Sequence, residues 1–277
     1  MSEPRLIDTW HQGIDRVIGV WERDGVLIDP GPARTIDRVL AELPGGRPRA
    51  LLLTHIHLDH AGATGALVER FADLPVYVHA AGAPHLADPS RLLGSAARLY
   101  GQRLGELWGP VLAVPERNIV PLSGGEVVEG LDVLATPGHA SHHVAYLDGD
   151  GGDAFVGDVA GVRIPPGETV WLPTPPPDID LELWRESIAL LAEREPERLL
   201  LTHYGSVDDP RRHLAATLAE LERLAESSRA GDERQFLAAL GERIDAEPPE
   251  LAERTRAAMP PEQSWLGLER YWRRHGG

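Results

Sequence analysis

One segment constrains the chain more than any other. A short apolar run, Ala50–Leu53, leads into His55-x-His57-x-Asp59-His60, which places three imidazoles and one carboxylate within six residues. In an extended segment residues i and i+2 point the same way, so His55 and His57 can hold one metal ion together. As the chain turns into a helix, Asp59 and His60 can reach a second point nearby. Crowded imidazoles contribute little packing and repel one another when charged, so the segment predicts a metal-binding loop between a strand and a helix.

Composition limits the chemistry of such a site. The chain contains no cysteine and no lysine, so all 27 basic residues are arginine. Disulfides, thiolate nucleophiles, iron–sulfur clusters and cysteine zinc sites are therefore excluded, as is Schiff-base chemistry on lysine. Any metal ion must be held by the nitrogen and oxygen atoms of histidine, aspartate and glutamate.

Charge bears on the partners of the chain. The 43 acidic residues exceed the basic ones and give a formal net charge of −16. Nucleic-acid binders normally have the opposite balance because phosphate contacts supply much of their affinity, and an anionic membrane surface would also repel this chain. We therefore expect a small-molecule substrate, with neither nucleic acid nor membrane as a partner.

The sequence also bears on location. Residues 1–10 carry charges and lack the apolar stretch of a signal peptide. No run approaches the ~18 apolar residues of a membrane span. We expect a cytoplasmic protein.

Other candidate ligands also lie just after predicted strands. Apolar runs end shortly before three of them, which are His139, Asp158 and His203. Loops at one end of a rigid sheet are common places for binding residues. The repeated order, an apolar strand and then a polar side chain, predicts one site shared by several loops.

The remaining pattern predicts an α/β region followed by helices. Asp24-Gly25 between two β-rich runs predicts a hairpin, and residues 84–110 have a helical spacing interrupted by glycines. From Pro210 onward the apolar residues recur at helical intervals. We predict a metal-binding catalytic domain over residues 1–208, with a helical insert at about 84–110, and a C-terminal helical extension over 209–277.

These residues resemble the motifs of the metallo-β-lactamase fold superfamily, in its glyoxalase-II-like metallo-hydrolase branch. Five motifs of that superfamily are matched in order over residues 25–205, namely Asp29, the H-x-H-x-D-H of residues 55–60, His139, Asp158 and His203. The resemblance implies an αββα sandwich, in which two β-sheets lie face to face with helices outside.

The resemblance also implies a division of ligands between two divalent metal ions. His55, His57 and His139 would hold the first ion, Asp59, His60 and His203 the second, and Asp158 would bridge both. Asp29 would not bind a metal ion itself but would orient one of the ligands. Zinc suits such nitrogen and oxygen donors, with iron or manganese as alternatives.

The activity implied is metal-dependent hydrolysis. A water shared by two cations loses a proton near neutral pH, and the hydroxide attacks an ester, thioester or lactone of a small molecule. Asp59 is the candidate proton acceptor. His142 and Tyr204 are candidates for contacting the substrate, although an ordinary polar histidine and a packed aromatic explain them equally well.

Three alternatives stay open at this point. A persulfide dioxygenase of the same fold would use a single iron held by His55, His139 and Asp158. A phosphodiesterase of the same fold is the second alternative, and the third is a binding protein that keeps the metal as a structural element. Hydrolysis of β-lactam antibiotics is disfavoured, because the cysteine and lysine of the best-known subgroup are absent.

Two segments are expected to form the walls of the substrate pocket. They are the insert at 84–110 and the proline-rich loop at 165–177, whose apolar side chains would face an apolar part of the substrate. The C-terminal helices would pack on the core, cover the cleft or form the contact of a homodimer.

Overall fold

The computed structural model describes residues 2–149, 152–229 and 231–276, and within them it contains two six-stranded sheets. The strands of the first sheet are β1 (Arg5–Asp8), β2 (Gly19–Arg23), β3 (Val26–Ile28), β4 (Ala50–Leu52), β5 (Val76–His79) and β6 (Ile119–Leu122). Those of the second sheet are β7 (Val127–Val128), β8 (Leu131–Ala135), β9 (Val144–Leu147), β10 (Asp153–Phe155), β11 (Arg198–Leu201) and β12 (Gly205–Val207). In both sheets, strands that are consecutive in the chain are neighbours in space.

The helices lie between and after the strands. The α-helices are α1 (Ile36–Glu42), α2 (Leu58–Ala61), α3 (Thr64–Arg70), α4 (Ala83–Ala87), α5 (Ser90–Tyr100), α6 (Leu104–Trp108), α7 (Leu181–Glu193), α8 (Pro210–Arg229), α9 (Glu233–Asp245), α10 (Pro249–Ala258) and α11 (Pro261–His275). Among the described residues, none of these helices is both long and apolar enough to cross a bilayer.

Strand direction brings the loops that carry candidate ligands together at the carboxyl ends of neighbouring strands. Strands β3 and β4 are parallel, so their carboxyl ends lie side by side. In the second sheet β8 and β10 are each antiparallel to β9, and β11 is parallel to β10. Strands β8, β10 and β11 therefore run the same way, and the loops after them emerge at a common edge.

Alternation along the strands builds the layers. In β4 and just after it, Leu51 and Leu53 pack with the helices outside the first sheet. Ala50 and Leu52 point the other way, into a core shared with Tyr146 of the second sheet. Successive strand residues face opposite sides, so a strand with apolar residues on both faces requires cover on both. The result is the predicted αββα sandwich.

The C-terminal helices share the core of the second sheet. Leu199 and Leu201 of β11 lie in one apolar cluster with Trp184 of α7, Leu214 of α8 and Trp265 of α11. The helical extension is therefore present and packs on the sandwich, while the domain boundary at residue 208 stays a prediction.

Several elements differ from the sequence-based prediction. Strands β1 and β6, which form the two edges of the first sheet, were not predicted, and β6 contains Pro121 in place of a regular apolar alternation. The helix after the histidine cluster begins at Leu58, before the predicted Ala61. The insert forms three short helices, and α5 ends at Tyr100, just before Gly101, whose φ of 54° favours glycine.

Candidate metal centre

The structure brings the seven predicted ligands together as two groups. In each group the candidate ligand atoms lie within 4.8 Å of one another. The first group is His55, His57 and His139, and the second is Asp59, His60, Asp158 and His203. They come from the loops after β4, β8, β10 and β11 and from α2, as expected from strand direction.

In the first group, three ring nitrogens converge on a common point. The Nδ1 atom of His57 lies 3.0 Å from Nε2 of His55 and 2.9 Å from Nε2 of His139. Burial lowers the pKa of all three histidines, and that of His139 falls to about 3. The rings are therefore neutral at pH 7, and the lone pairs that converge here are what a cation requires.

The second group is rich in negative charge. Burial opposes the ionised form of Asp158, but His60, His139 and His203 outweigh it and hold the pKa of Asp158 well below its usual range. Burial likewise opposes the charged form of His60, yet the carboxylates of Asp158, Asp59 and Asp29 raise its pKa. Ionised carboxylates within reach of imidazole nitrogens form a suitable donor set for a divalent cation.

Asp158 joins the two groups through different oxygens. Its Oδ1 lies 3.2 Å from Nε2 of His60, and its Oδ2 lies 3.3 Å from Nε2 of His139. Asp158 Oδ1 and the Nε2 atoms of His60 and His203 are buried and have no hydrogen-bond partner among the described residues. Unpartnered buried polar atoms are costly, so these residues fit a pair of cations bridged by Asp158.

Three of the candidate ligand rings are aligned by their other nitrogen. The Nδ1–H groups of His139 and His203 donate to the carbonyl oxygens of Pro173 (3.0 Å) and Val17 (2.6 Å). That of His60 donates to Asp29 Oδ2 at 2.8 Å. Such bonds fix the tautomer and direct Nε2 toward the metal.

Asp29 lies at the centre of the supporting network. It is fully buried and adopts a φ of 52°. Its Oδ1 accepts from the backbone N–H of Thr54, and its Oδ2 accepts from the hydroxyls of Thr54 and Thr202. These contacts agree with the orienting role predicted for Asp29.

His143 supports the backbone of Asp158. Its Nε2 accepts from the Asp158 N–H at 3.2 Å, and its Nδ1 pairs with the hydroxyl of Thr136 at 2.8 Å. Both ring nitrogens are therefore occupied, and His143 is a positioning residue.

The sequence predicted two residues that contact the substrate, His142 and Tyr204. The His142 ring lies 6.3 Å from the rings of both His55 and His57. Tyr204 is absent from the residues that line the main cavity, and burial together with the Asp8 carboxylate raises its pKa. The catalytic roles of His142 and Tyr204 stay predictions, and neither residue lies in the wall of the cleft.

A cavity of about 580 Å³ opens beside the second group. Asp59, Asp158 and His203 line it, together with residues of the insert, the proline-rich loop and the C-terminal helices. The wall is mostly apolar, and its charged members besides Asp59 and Asp158 are Arg98, Arg103, Arg256 and Glu262. Both predicted pocket walls thus line the cavity, as does residue range 256–266 of the extension.

Sequence reasoning missed one residue of this wall, His11. His11 stacks on Trp108 with ring centroids 5.0 Å apart, and both side chains line the cavity. Burial lowers the pKa of His11 to about 4, although Asp59 opposes the shift. No motif surrounds His11 in the sequence, so only a contact across almost 100 residues reveals its place.

Comparison with known proteins agrees with this geometry. The family model of the metallo-beta-lactamase superfamily matches residues 20–203. The probable metallo-hydrolase YflN of Bacillus subtilis is 31% identical over 206 residues, which are 64% of this chain and 74% of YflN. A hydroxyacylglutathione hydrolase of Thermosynechococcus vestitus is 33% identical over 48% of this chain, but the match spans only 42% of that enzyme.

Solved structures show the same fold. The metallo-beta-lactamase superfamily protein ST1585 of Sulfolobus tokodaii superposes with a TM-score of 0.73, covers 97% of this chain and 98% of its own, and is 23% identical. The structure of TTHA1623 in a di-iron-bound form is 29% identical, with a TM-score of 0.53, over 77% of this chain and 90% of that one.

Proposed function

Because the chain belongs to the metallo-beta-lactamase superfamily, we propose that it is a hydrolase that uses two divalent cations to cleave an ester, thioester or lactone bond of a small molecule. The observation that carries the proposal is the bridging position of Asp158, whose two oxygens face different ligand groups. The metallo-hydrolase and hydroxyacylglutathione hydrolase names of relatives support hydrolysis.

The donor set favours zinc. All seven candidate ligands offer imidazole nitrogen or carboxylate oxygen, which suits zinc without thiolates. Iron suits such donors as well, and the di-iron form of TTHA1623 keeps it as the second candidate. When bound, two cations supply a hydroxide at neutral pH and stabilise negative charge that develops on the substrate.

Side chains of the cavity would supply proton transfer and substrate binding. Asp59 lines the cavity, and its carboxylate lies 3.4 Å from Nε2 of His203. This position supports a role for the carboxylate in accepting a proton from the attacking water and passing it to the leaving oxygen or sulfur. Tyr100 lines the same cavity, and its hydroxyl donates to Gln263 at 3.4 Å. The apolar walls exclude water from the substrate and accept its apolar part.

Elemental analysis of purified, untreated protein tests the proposal first. We expect about two zinc ions per chain, together with activity on a panel of aryl esters, thioesters and lactones. Bis(4-nitrophenyl) phosphate serves as the phosphodiester control. About one iron per chain with oxygen uptake in the presence of a persulfide would contradict the proposal, and so would activity confined to the phosphodiester.

A further inference from the structure

His11 is held in an unusual way at the cavity wall. It lies in a short turn between Trp10 and Gln12, which both have positive φ angles of 51° and 56°. Its ring stacks on Trp108, and Tyr100 meets the other ring edge-on with centroids 5.2 Å apart. Positive φ is uncommon for non-glycine residues, so the chain accepts backbone strain to place this side chain.

The polar atoms of the stack lack partners. His11 is 1% exposed, and neither of its ring nitrogens has a hydrogen-bond partner among the described residues. The Nε1–H of Trp108 is also buried and unpartnered within the described part of the chain. Such groups normally find partners when buried, and these three atoms belong to rings that line the cavity beside Asp59 and His203.

The hydrogen-bonding groups of the two rings determine which ligand atoms they can bind. An indole N–H only donates, and a neutral imidazole offers one donor and one acceptor. The surrounding wall offers little competition for these hydrogen bonds, because Ile14, Ile18 and Leu107 lie in one apolar cluster with Trp108 and also line the cavity. An oxygen atom on an otherwise apolar ligand can accept from this pair, whereas a hydrocarbon at the same place leaves all three atoms unpaired.

We propose that His11 and Trp108 form a subsite that hydrogen-bonds an oxygen substituent of the substrate, away from the bond that is cleaved. The preferred substrate is then an acyl compound that carries a hydroxyl or oxo group on an otherwise apolar chain. This inference rests on the proposed hydrolase function. His11 is a specificity-determining residue here and takes no part in the bond cleavage itself.

The test uses the metal-loaded enzyme and a series of phenyl hexanoates. The parent ester is compared with esters that carry one hydroxyl group at carbon 2 or 3, or one oxo group at carbons 3 to 5. We expect at least one oxygenated ester to exceed the parent about tenfold in kcat/KM, because a buried donor left unpaired by the parent is costly. His11→Phe keeps a stacked ring without nitrogens, and it should reduce that preference to within about twofold, mainly through KM.

Two further variants separate specificity from structure. Trp108→Phe keeps an aromatic ring without the N–H and should also weaken the preference. His275→Phe is the matched control, because His275 also stacks on an aromatic ring, that of Tyr271, and is exposed. That control should retain the full preference. If His11→Phe fails to fold, the comparison is made with Trp108→Phe.

The outcomes distinguish this inference from the proposed function. Equal kcat/KM across the whole series, or equal losses for parent and oxygenated esters in His11→Phe, would overturn the subsite and leave the hydrolase intact. Calorimetric titration with the corresponding carboxylic acids needs no turnover. If no ester were cleaved, tighter binding of an oxygenated acid by wild type than by His11→Phe would still support the subsite, and equal binding would overturn it.

Discussion

The carboxylate of Asp158 connects the two ligand groups. Its two oxygens face His60 and His139 from opposite groups, and its backbone N–H is held by His143. The side chain is buried. A carboxylate in this position would neutralise charge for both of the proposed cations, which a neutral isostere would not do.

The first prediction concerns Asp158→Asn. The amide keeps the shape but removes the negative charge, so we expect metal content to fall from about two ions per chain to one or fewer. Activity on the preferred substrate should fall at least about a hundredfold, while circular dichroism stays unchanged. Elemental analysis and steady-state kinetics measure both effects.

Asp132→Asn is the matched control, because Asp132 is an exposed aspartate of β8. It should keep both ions and full activity. Two ions and full activity in Asp158→Asn would refute the bridging role.

The second prediction concerns Gly157, which precedes Asp158. Its φ is 48°, and an added Cβ would lie 2.5 Å from the Thr54 hydroxyl and 2.8 Å from Nε2 of His143. Gly157→Ala should therefore lose about 1 kcal/mol through backbone strain and about 2 kcal/mol more through overpacking. Denaturant unfolding measures the loss.

Gly45→Ala isolates the strain, because Gly45 has a φ of 72° and nothing lies within 4 Å of an added Cβ. The excess loss in Gly157→Ala over Gly45→Ala is the quantity of interest. Equal losses in the two variants would show that the loop before Asp158 has room to relax.

Helix α8 supports the site from the far side of the second sheet. His213 on this helix donates from Nε2 to the carbonyl oxygen of Ala160 at 2.8 Å. Ala160 lies two residues after Asp158, in the loop that follows β10. An element of the C-terminal extension therefore holds the backbone that carries a candidate ligand.

The third prediction is a pH dependence that arises from His213. Burial lowers its pKa from 6.5 to about 4, so between these values the unfolded chain binds the proton more readily than the folded one. The folded state therefore loses stability as the pH falls from 6.5 to 4, by about 3 kcal/mol from this group.

His213→Gln places an amide N–H near the position of Nε2 and does not titrate. Its free energy of unfolding should change less than that of wild type between pH 7 and pH 4, by about 3 kcal/mol. Urea unfolding at both pH values measures the difference. Parallel losses in the two proteins would assign the acid sensitivity to other groups.

At the scale of the whole molecule, the candidate centre joins the two halves of the sandwich. Its ligands come from loops of the first sheet and of the second. A cation bound among them cross-links the sheets in the folded state only, since the unfolded chain separates them. Metal binding is therefore coupled to stability.

The fourth prediction follows from this coupling. Removal of metal by chelator and dialysis should lower Tm by about 10 °C, the shift expected when a ligand at ~1,000 times its Kd is withdrawn. Return of zinc should restore both Tm and activity. An unchanged Tm in protein that elemental analysis shows to be metal-free would contradict a structural contribution of the centre.

Much of the fold was predictable because short stretches of the sequence specify it. The hairpin at Asp24-Gly25, strands such as β8 and β11, and the four C-terminal helices follow from residue period and turn chemistry. Edge strands such as β6 were missed because they are short and gain their pairing from a neighbour distant in the sequence.

The sequence by itself predicted the candidate ligands of the centre, because the motif of residues 55–60 is local and the other candidates follow recognisable strands. Only the tertiary structure decided what surrounds them. It placed His11 against Trp108, brought residues 256–266 to the cavity, and left Tyr204 outside its lining. Such placements depend on packing between residues far apart in the chain, and no spacing along one segment carries that information.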